Sequence, residues 1–576
     1  MENLLVKNPF VLFQGFGAFK KIPEIIKLIN TIDNKTSFVY SCKKDEKEVF
    51  ENYFDDVFKK EHNKFSCLAE EEIINLMLKK NSKLPSVLLL SNLEDNSVNN
   101  YIIMNLWLYV YQNRESAPLL LMFSNNESII DTPFEFNKNN TYYVKDYLYN
   151  KKNIIYYEKD IFYKNYEELI KKLSQNIIYY HENIKSTKNS SWLVFLSSKK
   201  ECNKLYYNIK KSIKEAEIIM INNETEKNII DNINNNYRNR KIIITCIYRL
   251  DIQNVDAVFD SMIGCNICEN SSENKFNTVE YITKNESKIR CNYINNFHNK
   301  NFCLRMCKEK FFNTLYLYKV PEMIKFSLLE TYLTIKKNKD IDISSFYPAI
   351  EKEKLARIES KLINLSLLTK NSLITKKGKE VLDINNLSIK NALFILLWRE
   401  KKLPLFPGII VACIIENFSY NYTYDFVNNK LEYLLEMCKN YYKEIKTLHT
   451  EKKVFKDYCN MNNISFQHFK NLLNLIKETC IEMYNYNNFE LGLYDIENVV
   501  KESIPIISRI YYDQIIELED NDLNNFNYLD IYANINTLDV KFENKYFDFP
   551  QVAVVIDGKK CNKEQKYIVK NMITIV

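Results

Sequence analysis

The sequence predicts an α/β fold in its first half, a mostly helical second half and a small β-barrel at the end. Three observations carry this reading. Short β-branched or aromatic runs alternate with amphipathic stretches in the first half, helical spacing takes over after Pro321, and strand-like runs return near the C-terminus.

Phe10–Phe13, Ser37–Tyr40, Ser86–Leu90 and Leu119–Phe123 read as buried strands, with helix-length segments such as Ile22–Ile29 and Glu70–Leu78 between them. Apolar runs of that kind suit a parallel sheet covered on both faces. A second set, Trp192–Leu196, Glu217–Ile221, Lys241–Thr245 and Ala257–Phe259, repeats the pattern after the polar segment Lys185–Ser190, which reads as a linker. Farther on, Lys354–Leu368 places Leu355, Ile358, Leu362 and Leu365 at helical spacing, and Ser372–Thr375 reads as a short strand closing at Gly378. Helices without strand signals fill Ser388–Glu497. Ile515–Leu518, Tyr528–Tyr532, Val540–Phe542 and Val552–Ile556 then read as strands of the small barrel.

Composition narrows the function. Of 576 residues, 46% are hydrophobic and 26% charged, which allows several packed cores and excludes disorder as the main state. Only 7 glycines occur where ordinary usage gives about 40, so a glycine-lined phosphate cradle is disfavoured from the start. The abundance of Asn, Lys, Ile, Tyr and Phe is the mark of an AT-biased genome, and Asn runs such as Asn234 to Asn236 read as loop or helix surface. A charge of +6, spread along the chain, permits nucleic acid binding without demanding it. The longest apolar run, Leu403–Ile415, has 13 residues, short of the roughly 20 that span a bilayer. The start of the chain lacks a signal peptide's basic and apolar regions, and 14 cysteines are too dilute for a disulfide scaffold, so free thiols in the cytoplasm are expected.

No Walker A motif is present. Gly-Lys occurs at Gly378-Lys379 and Gly558-Lys559, followed by Glu380 and Lys560 where a hydroxyl is required. H-E-x-x-H, G-x-S-x-G and G-x-G-x-x-G are missing too. Cys265, Cys268, Cys291, His298, Cys303 and Cys307 gather zinc-type ligands in one stretch, but their spacing departs from the repeated C-x2-C pair, and they read as thiols rather than a structural zinc site. His62, His181, His449 and His468 have no carboxylate or serine at motif spacing. Tyr142-Tyr143 and Tyr156-Tyr157 could stack bases but read as packing residues among 41 tyrosines.

The order of fragments resembles the DEAH-box (RHA-type) RNA helicases. There a strand leads into GETGSGKTTQIPQ; here Phe10-Val11-Leu12-Phe13 leads into Gln14-Gly15-Phe16-Gly17-Ala18-Phe19-Lys20-Lys21-Ile22-Pro23. Aligned on Ile22-Pro23, Ala18 takes the place of the phosphate-binding lysine and Phe19 that of the magnesium-binding hydroxyl. Ser91-Asn92-Leu93-Glu94 stands for Asp-Glu-Ala-His, Leu121 to Asn125 for LMSAT, and Val258-Phe259-Asp260-Ser261 ends a shortened motif V. The QRAGRAGR stretch maps to Ile289–Asn296 and keeps one arginine, Arg290, where the family's arginines act on the γ-phosphate. Pro321 to Ile324, Phe346-Tyr347-Pro348 and Leu373 to Gly378 are similar to the winged-helix module.

The resemblance implies tandem RecA-like domains (1–184 and 185–318, both degenerate), a winged-helix-like module (319–386), a helical ratchet-like domain (387–505) and an OB-fold-like barrel (506–576). Gly15, Gly17, Ala18, Phe19, Ser91, Asn92, Glu94 and Arg290 mark the degenerate nucleotide site, and no catalytic or metal-binding residue is assigned. Lys43, Lys44, Ser198 and Thr245 match positions that meet RNA in the family, although solvated lysines and ordinary strand ends explain them equally well. The expected function is that of an inactive helicase-like protein, binding RNA or other single-stranded nucleic acid, or protein partners as a scaffold, with no cofactor, in the cytoplasm or virion of a large DNA virus. Two alternatives remain: a divergent active helicase using ATP and magnesium, and a structural protein without nucleic acid.

Overall fold

The structure is a computed structural model. It describes residues 2–15, 18–33, 36–43, 46–47, 50–51, 54, 65–79, 82–114, 116–125, 132–144, 154–158, 166–184, 190–221, 233, 240–246, 252, 254–269, 275–294, 301–338, 340–417, 430–441, 457–459, 461, 466–484, 495–512, 515–518, 525–528, 538–542, 552–561 and 566–574. Two compact units make up the chain: 1–266, 279–324 and 346–349 form one, and 267–278, 325–345 and 350–576 the other.

The first unit opens with α1 (Glu2–Lys7), β1 (Phe10–Gln14), a 3-10 turn (Ala18–Lys21) and α2 (Ile22–Ile32). It continues with β2 (Phe38–Cys42), β3 (Phe65–Ala69), α3 (Glu70–Leu78), β4 (Val87–Leu90), α4 (Val98–Asn113), β5 (Leu119–Ser124) and β6 (Thr141–Tyr143). The strands form a parallel sheet in the order β3-β2-β4-β5-β1-β6. Every residue of β2 and β4 is buried, so side chains of both faces need cover. On one face α2 supplies it with Ile22, Ile25, Ile26 and Ile29, spaced for one helical stripe, against Phe13, Tyr40 and Phe123. Helix α4 is buried nearly all round at its centre, from Asn100 to Trp107. Its Asn105 side chain clamps the backbone of Tyr347, donating to the carbonyl at 2.6 Å and accepting from the N–H at 2.8 Å.

The second sheet of this unit runs β7-β14-β11-β8-β10-β9, from β7 (Ile154–Tyr157), β8 (Ser191–Phe195), β9 (Glu217–Ile221), β10 (Lys241–Thr245), β11 (Val255–Asp260) and β14 (Phe302–Arg305). Between these strands lie α5 (Tyr166–Asn183), α6 (Lys199–Lys210), the two-stranded β12 (Ile263–Glu269) and β13 (Lys275–Tyr281), and α7 (Lys284–Cys291). The boundary expected at 184/185 needs correcting. β7 pairs with β14, and Leu169, Ile170, Leu173 and Ile177 of α5 pack with Trp192, Val194 and Phe259, so the second sheet begins recruiting chain by residue 154. Residues 185–189 of the expected linker lie outside the described residues, as do Asn234 to Asn236.

The other unit contains α8 (Leu329–Ile335), α9 (Lys352–Asn364), α10 (Lys376–Leu382), α11 (Ile389–Glu400), α12 (Leu405–Asn417), α13 (Lys430–Asn440), α14 (Phe466–Tyr484) and α15 (Ile496–Ile510). Ser372–Thr375 is not a strand: a single antiparallel bridge, Leu368 to Ile374, is all that forms, because Ser366 and Ser372 take left-handed turns beside it. Gly378 lies inside α10, where its N–H donates to the capping Thr375 hydroxyl at 2.9 Å. The apolar run around Leu403–Ile415 becomes α12, buried from Phe406 to Ile414 and packed on α11, α14 and α15. Helix α15 runs past the boundary expected at 505. The chain ends in a closed five-stranded barrel, β15-β16-β17-β19-β18, from β15 (Ile515–Leu518), β16 (Asn525–Tyr528), β17 (Leu538–Phe542), β18 (Val552–Cys561) and β19 (Lys566–Thr574). The strand expected at Tyr528–Tyr532 is therefore three residues early, and 529–532 lie outside the described residues.

Gly408 is where α12 approaches α11 most closely, since a Cβ there would stand 2.5 Å from the Trp398 ring. Trp398 is buried and fixed by its indole N–H donating to Pro404 O at 2.8 Å. Gly408→Ala should therefore destabilise the chain by about 1–3 kcal/mol in urea unfolding, although alanine is the better helix former. An unchanged or raised midpoint would show that the helices can part without cost.

Candidate functional site

The carboxyl ends of the first sheet's strands carry the polar residues that the buried strands cannot. β1 ends at Gln14, and residues 15–17 alone join it to the turn that opens α2. A P-loop places G-x-x-x-x-G-K-[ST] here, with successive amides facing phosphate. In this chain the Gly15 amide donates to Ser124 O at 2.9 Å and the Ala18 amide to Gly15 O at 3.0 Å. Gly15 has φ +128°, and a Cβ on it would meet Val144 O at 2.8 Å, so only glycine fits. Ala18 is fully buried among Val11, Phe13, Ile22 and Phe123. The half-buried Phe19 ring lies 6.0 Å from Tyr40, 5.6 Å from Phe50 and 6.2 Å from Phe54, centroid to centroid. Tyr40 in turn packs on Phe50 and Phe54 at 5.0 and 5.2 Å, and Phe54 on Phe65 at 4.5 Å. A methyl group and a phenyl ring thus occupy the matched positions, inside an aromatic cluster that the sequence did not reveal. Gly17 and Lys44 lie outside the described residues.

After β4 the chain turns through Ser91–Ser97, with Asn92 and Asn96 both left-handed, a conformation asparagine tolerates. Ser91 and the Tyr40 hydroxyl share a hydrogen bond of 2.5 Å, and Asn92 Nδ2 donates to Ser91 Oγ at 3.0 Å. Glu94 accepts from the Asn125 amide at 3.3 Å and from Asn125 Nδ2 at 2.8 Å, tying this turn to the end of β5. Lys43 is exposed and pairs with Asp95 at 3.4 Å, an ion pair weakened by water. Beside them Glu70 opens α3, buried, with Asn99 Nδ2 donating to it at 3.0 Å. Burial raises its carboxyl from 4.5 to about 7, against the opposing effect of the Asn99 hydrogen bond.

In the second sheet Arg290 faces inward. Its guanidinium donates to Asp260 at 2.6 Å and to Ile263 O at 3.1 Å, both side chains being fully buried. Ser287 Oγ and the Met262 amide complete the cage around the same carboxylate at 2.7 and 2.9 Å. The arginine at the finger position thus holds β11 to α7. Ser198 is half-buried at the N-cap of α6, and its carbonyl accepts from the Cys202 amide at 3.0 Å. Thr245 is buried at the end of β10, its carbonyl accepting from the Leu196 amide at 2.9 Å. These two residues flank adjacent strand ends. The cysteine stretch is dispersed: Cys265 is exposed on β12, Cys291 and Cys303 share one core, and Cys307 packs with Met262, Ile282 and Phe312. His298 lies outside the described residues, and among those described no three His, Cys, Asp or Glu side chains gather as metal ligands. His181 stands beside Arg240, with 3.2 Å between Nδ1 and the guanidinium.

No protein-family model matches the sequence, and no curated protein matches it. Solved structures do. One of Escherichia coli HrpB, described as a DExH-box NTPase, superposes with a TM-score of 0.72 at 10% identity over 100% of this chain and 67% of its own. Another, described as the DEAH/RHA helicase HrpB of the same organism, gives 0.71 at 10% identity over 99% of this chain and 69% of its own. The chain has the helicase fold, with two RecA-like parallel sheets followed by helical regions. Among the described residues no helix is long and apolar enough to cross a membrane.

Two expectations follow. Arg290→Ala leaves the Asp260 carboxylate buried without its cation and should cost about 3–5 kcal/mol in urea unfolding; a loss below 1 kcal/mol (~the median for surface pairs) would mean water reaches the pair. For Glu70 the folded chain holds its proton more tightly than the unfolded one. The stability this gives is complete below pH 4.5 and is lost as pH rises to about 7. Glu70→Gln should flatten the stability profile across that window and leave the variant more stable above it, by on the order of 2 kcal/mol. A parent profile without that slope would contradict the burial.

Proposed function

We propose that this chain is a helicase-fold protein that works without an ATP motor, holding RNA or another single strand within a nucleic-acid-processing assembly. The observation that carries the reading is the stretch between β1 and α2, where the Gly15 and Ala18 amides are bonded to carbonyls and Phe19 packs among Tyr40, Phe50 and Phe54. Electrostatic stabilisation of a transferring phosphoryl group requires donors aimed at it, a cation and a magnesium ligand. Alanine and phenylalanine supply none of these. Glu94, in the segment matched to Asp-Glu-Ala-His, is engaged by Asn125, and Arg290 by Asp260. No nucleotide, magnesium or zinc belongs to this reading.

The link to nucleic acid rests on the likeness to structures described as an NTPase and a helicase, and on Ser198, Thr245 and Lys43 at strand ends. Protein partners are part of the same proposal, as is a cytoplasmic or virion setting.

Phe19→Ala should lower stability by roughly 3 kcal/mol through lost packing and leave magnesium-dependent ATP turnover at background. Single-stranded RNA should bind and weaken steeply with rising salt as counterions are retained. Turnover that responds to Phe19→Ala would reveal an active motor, and RNA binding absent at low salt would leave a protein scaffold.

A further inference from the structure

Helix α6 has two opposed faces. Cys202, Leu205 and Ile209 are buried against the second sheet. Lys200, Lys204, Tyr207 and Lys211 are exposed and recur at intervals of four, three and four residues, which sets them on one helical stripe. Six of the 16 residues from Lys199 to Lys214 are lysine, and one, Glu201, is acidic. Glu201 is engaged by the Ser197 hydroxyl. Lys204 pairs with Glu167 of α5 at 2.6 Å, but both side chains are exposed, so the pair is weak and readily exchanged for another anion.

An aromatic ring stands among these cations. Tyr207 is 64% exposed, and the Tyr206 ring meets it edge-on, with centroids 5.5 Å apart and planes at 79°. The Tyr206 hydroxyl accepts from Lys210 Nζ at 2.6 Å, and the same ammonium lies 4.8 Å from the Tyr206 ring centroid. Ring and cation are therefore held in place before any ligand arrives. Helix stability accounts for neither feature. Lys199 and Lys200 occupy the first turn, where the helix dipole favours acids, and a ring so exposed contributes little to the core.

Cations interleaved with an exposed ring suit a single strand, whose phosphates and unpaired bases alternate along its length. A duplex offers no free base to stack, and an acidic peptide offers the ring none. We propose that this face of α6 is a track for single-stranded nucleic acid, with Lys200, Lys211 and Lys214 taking phosphates and one base stacking on Tyr207. The inference rests on the nucleic-acid reading above and gives it a surface beyond the strand ends. Lys199 and Lys200 directly follow Ser198, so the track begins where β8 hands over to α6.

The test titrates the folded full chain into a fluorescein-labelled oligouridine at several salt concentrations and maps ultraviolet cross-links to the same oligomer by mass spectrometry. A cross-link at Tyr207 is expected. Tyr207→Ala should weaken binding by roughly 5- to 150-fold, the range for one lost stacked base, and Tyr207→Phe should bind as the parent does. Lys200→Gln, Lys211→Gln and Lys214→Gln together should reduce the slope of log affinity against log salt by about 2. Parent-like affinity and slope in all of these variants would overturn the track and leave the nucleic-acid reading standing. Failure of the parent chain to bind at low salt would overturn both. Weakening by the lysine changes alone, with Tyr207→Ala silent and polyglutamate competing as well as RNA, would make the face a site for acidic polypeptide and overturn the proposal.

Discussion

Burial of both sheet faces is the constraint on which the first unit depends. β2, β4, β8, β10 and β11 are buried along their whole length, so the strands offer almost nothing but apolar side chains to the helices above and below them. Polar chemistry is thereby displaced to the strand ends. Ser91, Glu94 and Asn125 in the first sheet and Ser198, Thr245 and Cys246 in the second stand there. The buried pair of Asp260 with Arg290 is tolerated because every oxygen of the carboxylate is met by a donor.

The same constraint shapes the turn that follows β1. After residues 15–17 the chain enters the 3-10 turn Ala18–Lys21, and α2 then starts on the sheet with Ile22 in the core. What would be a polar cradle becomes continuous with the aromatic cluster of Phe19, Tyr40, Phe50, Phe54 and Phe65. Aromatic side chains bury large areas, and tilted pairs at such distances add to the packing. Tyr40 links the two environments, its ring in the cluster and its hydroxyl on Ser91.

Much of this was legible in the sequence because long apolar periodicity reports burial directly. Glu217–Ile221, Lys241–Thr245 and Glu70–Leu78 have the bounds expected of them. β3, β6 and β7 escaped notice since they are only partly buried, and β7 exposes most of its residues at a sheet edge. β14 was hidden by its arginine: Arg305 is buried over the Phe312 ring and bonded to the Tyr157 hydroxyl, neither visible in a local pattern. Ser372–Thr375 looked like a strand from composition, but left-handed backbone at Ser366 and Ser372 leaves room for one bridge. The Glu94–Asn125 clamp joins residues far apart in the chain, and no motif spacing announces it.

The central proposal is that this chain works without an ATP motor. Equilibrium titration of the purified chain with a fluorescent ATP analogue and magnesium tests it most directly. The account predicts no saturable binding in the micromolar range typical of enzyme ligands (~1 μM–1 mM). Saturable micromolar binding that unlabelled ATP displaces would contradict it and point to a phosphate site built from other residues.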